Sequence, residues 1–158
     1  MKVDFYEKIW LWAATVLIIA FATTVLFGAV AEGFAPPSHV ETINPATVWS
    51  DPRFANRGVT VDSTHVTVVA IGMTFAFLPG EIHVPAHRPV TFRLTSADVT
   101  HGFEIVGTNA NTMLIPGYVS QFTVTFDTPG EYLIVCNEYC GQGHHTMSGK
   151  LIVEEARK

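Results

Sequence analysis

Cysteine is nearly absent from this chain of 158 residues: Cys136 and Cys140 are the two it has, and both fall in one short run. No disulfide framework can support the fold, since a single short bridge is the most these two allow. Charge is scarce too, at 15% Asp, Glu, Lys and Arg, with a formal net charge of −5 and no block of like charges. An acidic balance without a basic patch argues against nucleic acid as a partner. No internal repeat or low-complexity tract stands out, which removes the repeat architectures. From Ile9 to Ala31 charge is missing altogether.

That uncharged run is the strongest regional signal. Its 23 residues are mostly Ile, Leu, Val, Ala, Phe and Trp. As a helix at ~1.5 Å per residue it would reach roughly 34 Å, enough to cross a hydrocarbon core of about 30 Å. Trp10 and Trp12 stand at its entrance, where amphipathic rings favour the interface. Ala29-Val30-Ala31 resembles a cleavage site. The run is nevertheless longer than the about 7–15 residues of a signal-peptide core, so it reads as a retained anchor. Lys2 and Lys8 precede it, and no Lys or Arg follows until Arg53. The positive-inside rule then predicts a cytoplasmic N-terminus and a C-terminal domain on the outer side. Ala20, Thr24 and Gly28 form a weak small-residue stripe.

Three regions are expected: residues 1–31 as tail and single transmembrane helix, 32–58 as a proline-rich linker, and 59–158 as an outer domain. Pro36, Pro37, Pro45 and Pro52 restrict helix and strand in the linker, although Asn44-Pro45 could open a short helix over Ala46–Ser50. Beyond it, short strands are predicted at 65–71, 90–95, 101–106, 119–126, 132–136 and 150–154, with turns at Pro79-Gly80 and Pro129-Gly130. Short strands without helices between them predict an antiparallel sandwich or barrel. Past Ala31 there are twelve acidic residues against seven Lys and Arg. Such a face would steer a basic partner, or simply keep the domain soluble.

Residues 136–147 read Cys-Asn-Glu-Tyr-Cys-Gly-Gln-Gly-His-His-Thr-Met. Thiolate, imidazole and thioether are the ligands of a soft, redox-active metal. A second imidazole, His101, sits upstream in Val-Thr-His-Gly-Phe. A mononuclear blue-copper centre needs one thiolate, two imidazoles and a distant Met, so this chain has one sulfur too many. Two thiolates could instead bridge two copper ions, each with one imidazole from His101 or His144. Met147 could complete one ion and a backbone carbonyl, with Glu138 midway between the cysteines, the other. Zinc would leave Met147 without use. A Cys136–Cys140 disulfide is the competing reading for an exported domain, although so short a loop gains little from cross-linking.

Cys-Asn-Glu-Tyr-Cys-Gly-Gln-Gly-His-x-x-Met with the upstream His-Gly-Phe resembles the CuA motif of subunit II of haem–copper cytochrome c oxidases. The single helix, the linker and the size of the outer domain resemble the short subunit II of the B-type (ba-like) oxidases. The similarity extends to Glu-Ile-His-Val-Pro at 81–85 and Thr-Ser-Ala-Asp-Val-Thr-His-Gly-Phe at 95–103. The resemblance implies an all-β, cupredoxin-like Greek-key barrel or sandwich holding a binuclear copper centre, CuA. It implies Cys136 and Cys140 as bridging thiolates, His101 and His144 as terminal imidazoles, Met147 as the weak axial ligand, and Glu138 as a main-chain carbonyl donor. It further implies a bacterial or archaeal plasma membrane. Electrons would come from cytochrome c or a similar donor and pass to haem in subunit I, where oxygen is reduced to water.

Two departures matter. The longer A-type subunit has two membrane helices, against one here. Glu138 matches the A-type residue whose carboxylate also meets magnesium, where B-type relatives commonly carry Gln. A magnesium ion shared with subunit I is therefore an expectation at Glu138. The aromatic stretch of A-type chains is replaced by Met73, Phe75 and Phe77, expected to divide between core and an apolar patch near copper. A nitric oxide reductase subunit and a membrane-anchored copper carrier are the alternative functions for the same ligands.

His145 could exchange roles with His144, although the family spacing favours His144. His39, His65, His83 and His87 lack soft neighbours and are expected at the surface or in the linker. Asn137, Tyr139 and Gln142 are expected to orient ligands. Asp98 is placed either to accept the free N–H of His101 or to form a turn.

Overall fold

A computed structural model describes residues 4–31, 41–62 and 65–155; Pro36, Pro37 and His39 of the linker lie outside the described residues. The apolar run forms one helix, α1 (Phe5–Ala31), with no residue buried. Its most apolar 18-residue stretch has a mean hydropathy of 2.3, and the helix is long enough to cross a membrane. Its threonine hydroxyls are satisfied internally: Thr15, Thr23 and Thr24 donate to the carbonyls of Leu11, Ile19 and Ala20 at 2.8, 2.7 and 2.9 Å. Self-satisfied polar groups are what an apolar solvent demands.

The second unit is a β domain. Ahead of its strands, a 3₁₀ helix over Pro45–Ser50 is capped by Asn44, whose side chain accepts from the Ala46 amide. Asp51 caps α2 (Pro52–Ala55) in the same way through the Arg53 amide. In both, proline fills the first turn, where its missing N–H costs nothing. Ile43, Val48 and Phe54 from this segment pack with Ile71 and Val119 in a small second core. Glu41 is held there by Arg93 and Arg53, each at 2.7 Å.

The strands are β1 (Gly58–Val61), β2 (Val66–Met73), β3 (Ala76–Leu78), β4 (Glu81–Pro85), β5 (Pro89–Ser96), β6 (His101–Ile105), β7 (Asn111–Leu114), β8 (Ser120–Thr125), β9 (Gly130–Val135) and β10 (Ser148–Glu154). One sheet runs β1-β2-β5-β8 with β3 on β2, and the other runs β4-β10-β9-β6-β7. Alternation places Val90, Phe92 and Leu94 of β5 inside, facing Phe103 and Ile105 of β6 and Ile134 of β9. Phe92 is the hub: it stacks on Phe122 at 5.1 Å and meets Phe103 and Phe126 at 5.9 and 6.4 Å.

The antiparallel expectation needs correction. β2 pairs with β5 in parallel, and so does β4 with β10. The chain leaves the first sheet after β3, adds β4 to the second, and returns for β5. Strand period cannot reveal such a crossing, because inward alternation is the same in either direction. The 3₁₀ helix His144–Thr146 joins the end of β9 to the start of β10.

Candidate metal centre

All five candidate side chains gather at one end of the second sheet. His101 is the first residue of β6, Cys136 follows β9, and Met147 precedes β10. The Cys136 amide donates to the Met147 carbonyl at 3.3 Å, and the Met147 amide to the His144 carbonyl at 3.1 Å. The 136–147 loop is thus closed at its base by backbone bonds. Rigid strand ends present the ligands, and the loop needs only to curl between them.

Cys136 and Cys140 are free, buried thiols with their sulfurs 3.7 Å apart. Each sulfur has its own imidazole: His101 Nδ1 lies 4.0 Å from Cys136 Sγ, and His144 Nδ1 lies 3.7 Å from Cys140 Sγ. Each also has one weaker donor. The Glu138 carbonyl oxygen lies 3.1 Å from Cys136 Sγ, and Met147 Sδ lies 3.7 Å from Cys140 Sγ. The ligand atoms of His101, Cys136 and Cys140 all fall within 4.8 Å of one another. Burial pushes the Cys140 thiol up to about 11, and the neighbouring Cys136 sulfur adds to the rise. A cation between two such sulfurs would reverse that, because metal coordination deprotonates a thiol outright.

His101 is fully buried, and its Nε2–H donates to Asp98 Oδ1 at 2.8 Å. That bond leaves the Nδ1 lone pair toward the sulfurs. Asp98 is partly buried, which raises its carboxyl. Hydrogen bonds from Thr74, from His101 and from the Thr74 and Val99 amides outweigh that effect and hold it well below the usual carboxylate range. The Thr74 amide and hydroxyl reach Asp98 Oδ2 at 2.7 and 2.6 Å. Asp98 therefore fixes both the His101 ring and the turn after β2. That turn carries Phe75, whose ring lies over the metal loop: a Cβ on Gly143 would stand 2.6 Å from it.

The sequence expectations divide cleanly here. His144 approaches sulfur, whereas His145 is exposed. Phe77 is core at 2% exposure and Phe75 is surface at 39%. Tyr139 is exposed and tilts against the His144 ring at 5.8 Å. His65, His83 and His87 are exposed, away from the cluster. Thr74 was not foreseen, and no motif points to it. Gly102 could have been found, since a glycine beside a ligand often marks a close backbone approach.

The donor set fits a soft redox metal. Two sulfurs, two imidazole nitrogens, a thioether and a carbonyl converge, and copper accepts all of these. Zinc would need the first four alone.

Comparisons with known proteins agree with this chemistry. Residues 49–156 match the family profile described as cytochrome c oxidase subunit II, periplasmic domain. The chain is 37% identical over 157 residues to cytochrome c oxidase subunit 2 of Thermus thermophilus, covering 95% of this chain and 92% of that one. In structure it matches a chain of a haem–copper terminal oxidase dimer with a TM-score of 0.75 and 32% identity, over 94% of this chain and 99% of that one. The periplasmic domain of subunit II of cytochrome oxidase from Bradyrhizobium japonicum shares the fold, with a TM-score of 0.54 at 21% identity, over 61% of this chain and 88% of that one.

Proposed function

The chain belongs to the cytochrome c oxidase subunit II family, and from that premise we propose that it is the electron-entry subunit of a haem–copper oxidase, built around a binuclear copper centre. The observation that carries the reading is the pair of unbonded, buried sulfurs 3.7 Å apart, each with its own imidazole. In this reading the thiolates of Cys136 and Cys140, the imidazoles of His101 and His144, and more weakly Met147 and the Glu138 carbonyl would hold the copper, which would supply one-electron redox chemistry.

The protein's own contribution is rigidity and dryness. Asp98 holds His101 in one tautomer and one orientation. Backbone bonds at the loop base keep the sulfurs in place when the charge changes. Burial of Cys136, Cys140, Met147 and His101 excludes water, which limits reorganisation around the transferred electron. His144 and Tyr139 lie on the accessible side, where a donor could approach.

The partners in this reading are cytochrome c or a similar donor and a haem-bearing subunit I, where oxygen would be reduced to water. Helix α1 would anchor the chain in a bacterial or archaeal plasma membrane, with an outer β domain that takes in residues 41–58 as well as the strands expected from 59 onward. The basic residues at 2 and 8 support a cytoplasmic N-terminus. The magnesium part of the reading rests on the exposed Glu138 carboxylate, which could share an ion with subunit I. Manganese substitution of the intact complex, followed by EPR, tests that part.

The central experiment is copper reconstitution of the full chain in detergent. Two copper ions per chain and a mixed-valence EPR signal lost in Cys136→Ser support the reading. One labile Cu(I) per chain, or a normal signal in Cys136→Ser, refutes it.

A further inference from the structure

β6 and β9 pair through Glu104↔Val135 and Ile105↔Ile134, and their ladder stops there. Continuing the same register would set Asn137 opposite Gly102, the residue after the His101 ligand. Instead the loop folds inward over the glycine. A Cβ on Gly102 would stand 1.8 Å from Asn137 Oδ1 and 2.8 Å from the Asn137 and Glu138 amide nitrogens. The carboxamide of Asn137 occupies the space that any larger residue at 102 would fill.

From that seat Asn137 reaches the neighbouring hairpin. Its Nδ2 donates to Glu104 Oε2 at 3.0 Å and to Asn111 Oδ1 at 3.2 Å. Glu104 and Asn111 face each other across the β6–β7 ladder, so both acceptors sit on paired strands. Donation to a carboxylate makes the first of these the stronger bond. One residue later, Glu138 turns its carbonyl onto Cys136 Sγ at 3.1 Å. Asn137, Glu138 and Tyr139 are all exposed, and of the three it is Asn137 whose side chain is hydrogen-bonded to the paired strands.

We infer that Asn137 is a positioning residue: its carboxamide, seated on Gly102 and bonded to Glu104 and Asn111, aims the Glu138 carbonyl into the metal site and tunes the bound metal without ligating it. The tuning half rests on the copper reading above. The loop-holding half does not, because it concerns the metal-free chain as well.

The test uses the full chain in detergent with Asn137→Ala and Glu104→Gln. In the metal-free protein, amide exchange across 137–140 should accelerate on the order of tenfold in Asn137→Ala, the factor expected from two lost hydrogen bonds. Exchange in β10 should not change. Glu104→Gln keeps an acceptor oxygen but loses the charge that strengthens the bond, so its exchange should rise by less than that of Asn137→Ala. After copper loading, Asn137→Ala should hold as much copper as the wild type but show an altered EPR hyperfine pattern. Unchanged exchange, an equal rise throughout the domain, loss of copper, or an unaltered spectrum would each overturn the assignment. If the wild type itself takes up no copper, the copper reading fails, and the exchange comparison alone still judges Asn137.

Discussion

Asp98→Ala would remove the acceptor on which the most buried candidate ligand depends. His101 is fully buried, and its Nε2–H has Asp98 Oδ1 at 2.8 Å. Stranding a buried donor costs about 1–3 kcal/mol. The Thr74 amide and hydroxyl would lose their bonds to Oδ2 at 2.7 and 2.6 Å. Both can turn to water, so that loss adds only about 1 kcal/mol. Together these predict about 3 kcal/mol and a fall of roughly 10 °C in the melting temperature of the metal-free β domain. Copper affinity should fall by about 10–100-fold, because the imidazole is no longer held in the required orientation. Asp98→Asn keeps an oxygen facing Nε2 and should lose less than half as much stability. Near-ultraviolet circular dichroism of the full chain in detergent follows the melting, and competition with a chelator follows the metal. A melting point for Asp98→Ala within about 2 °C of the wild type would refute the argument, since no more than a surface bond would have been lost.

Three further outcomes follow from the same geometry. Phe92→Ala opens a cavity among Phe103, Phe122 and Phe126, and should cost about 3–5 kcal/mol, read as a shifted denaturant midpoint with an unchanged slope. Met147→Leu conserves volume at a site 2% exposed, so the chain should keep its copper while its reduction potential moves in a redox titration; copper release would contradict a weak axial role. His83 lies between Glu154 and Glu81 at 2.7 and 2.9 Å, and these bonds raise it above its ordinary value of 6.5. Its stabilisation is therefore full below pH about 6.5 and lost as the pH rises through the higher folded value. The melting temperature of His83→Gln should depend less on pH across that window, and an unchanged profile would show the bonds to be too exposed to matter.

Much of the fold was visible in local pattern. The strand candidates at 90–95 and 119–126 became β5 and β8, and Asn44-Pro45 did open a short helix. The strands not foreseen were β1, β3, β4 and β7, each of five residues or fewer. Runs that short hold too few alternations to stand out, and their place comes from partners far along the chain. β4 is the clearest case, since it exists as a strand because β10 lies beside it in parallel. The same distance explains Thr74, whose bond to Asp98 joins two turns 24 residues apart.

Composition and spacing alone marked out the candidate donors, and the resemblance to the subunit II motif supplied the role proposed for each. Soft ligands are rare, and when all the cysteines of a chain share a loop with His and Met, the chemistry has few alternatives. The short arc from 136 to 147 needs no knowledge of the fold to bring its members together, because backbone bonds at its base suffice. What required the folded chain was everything that joins distant segments: which imidazole faces which sulfur, the carboxylate behind His101, the seat of Asn137 on Gly102, and the burial that keeps the sulfurs dry. Those relations depend on strand order and register. Both follow from how two sheets close over one core, a property of the whole chain that no local run of residues contains.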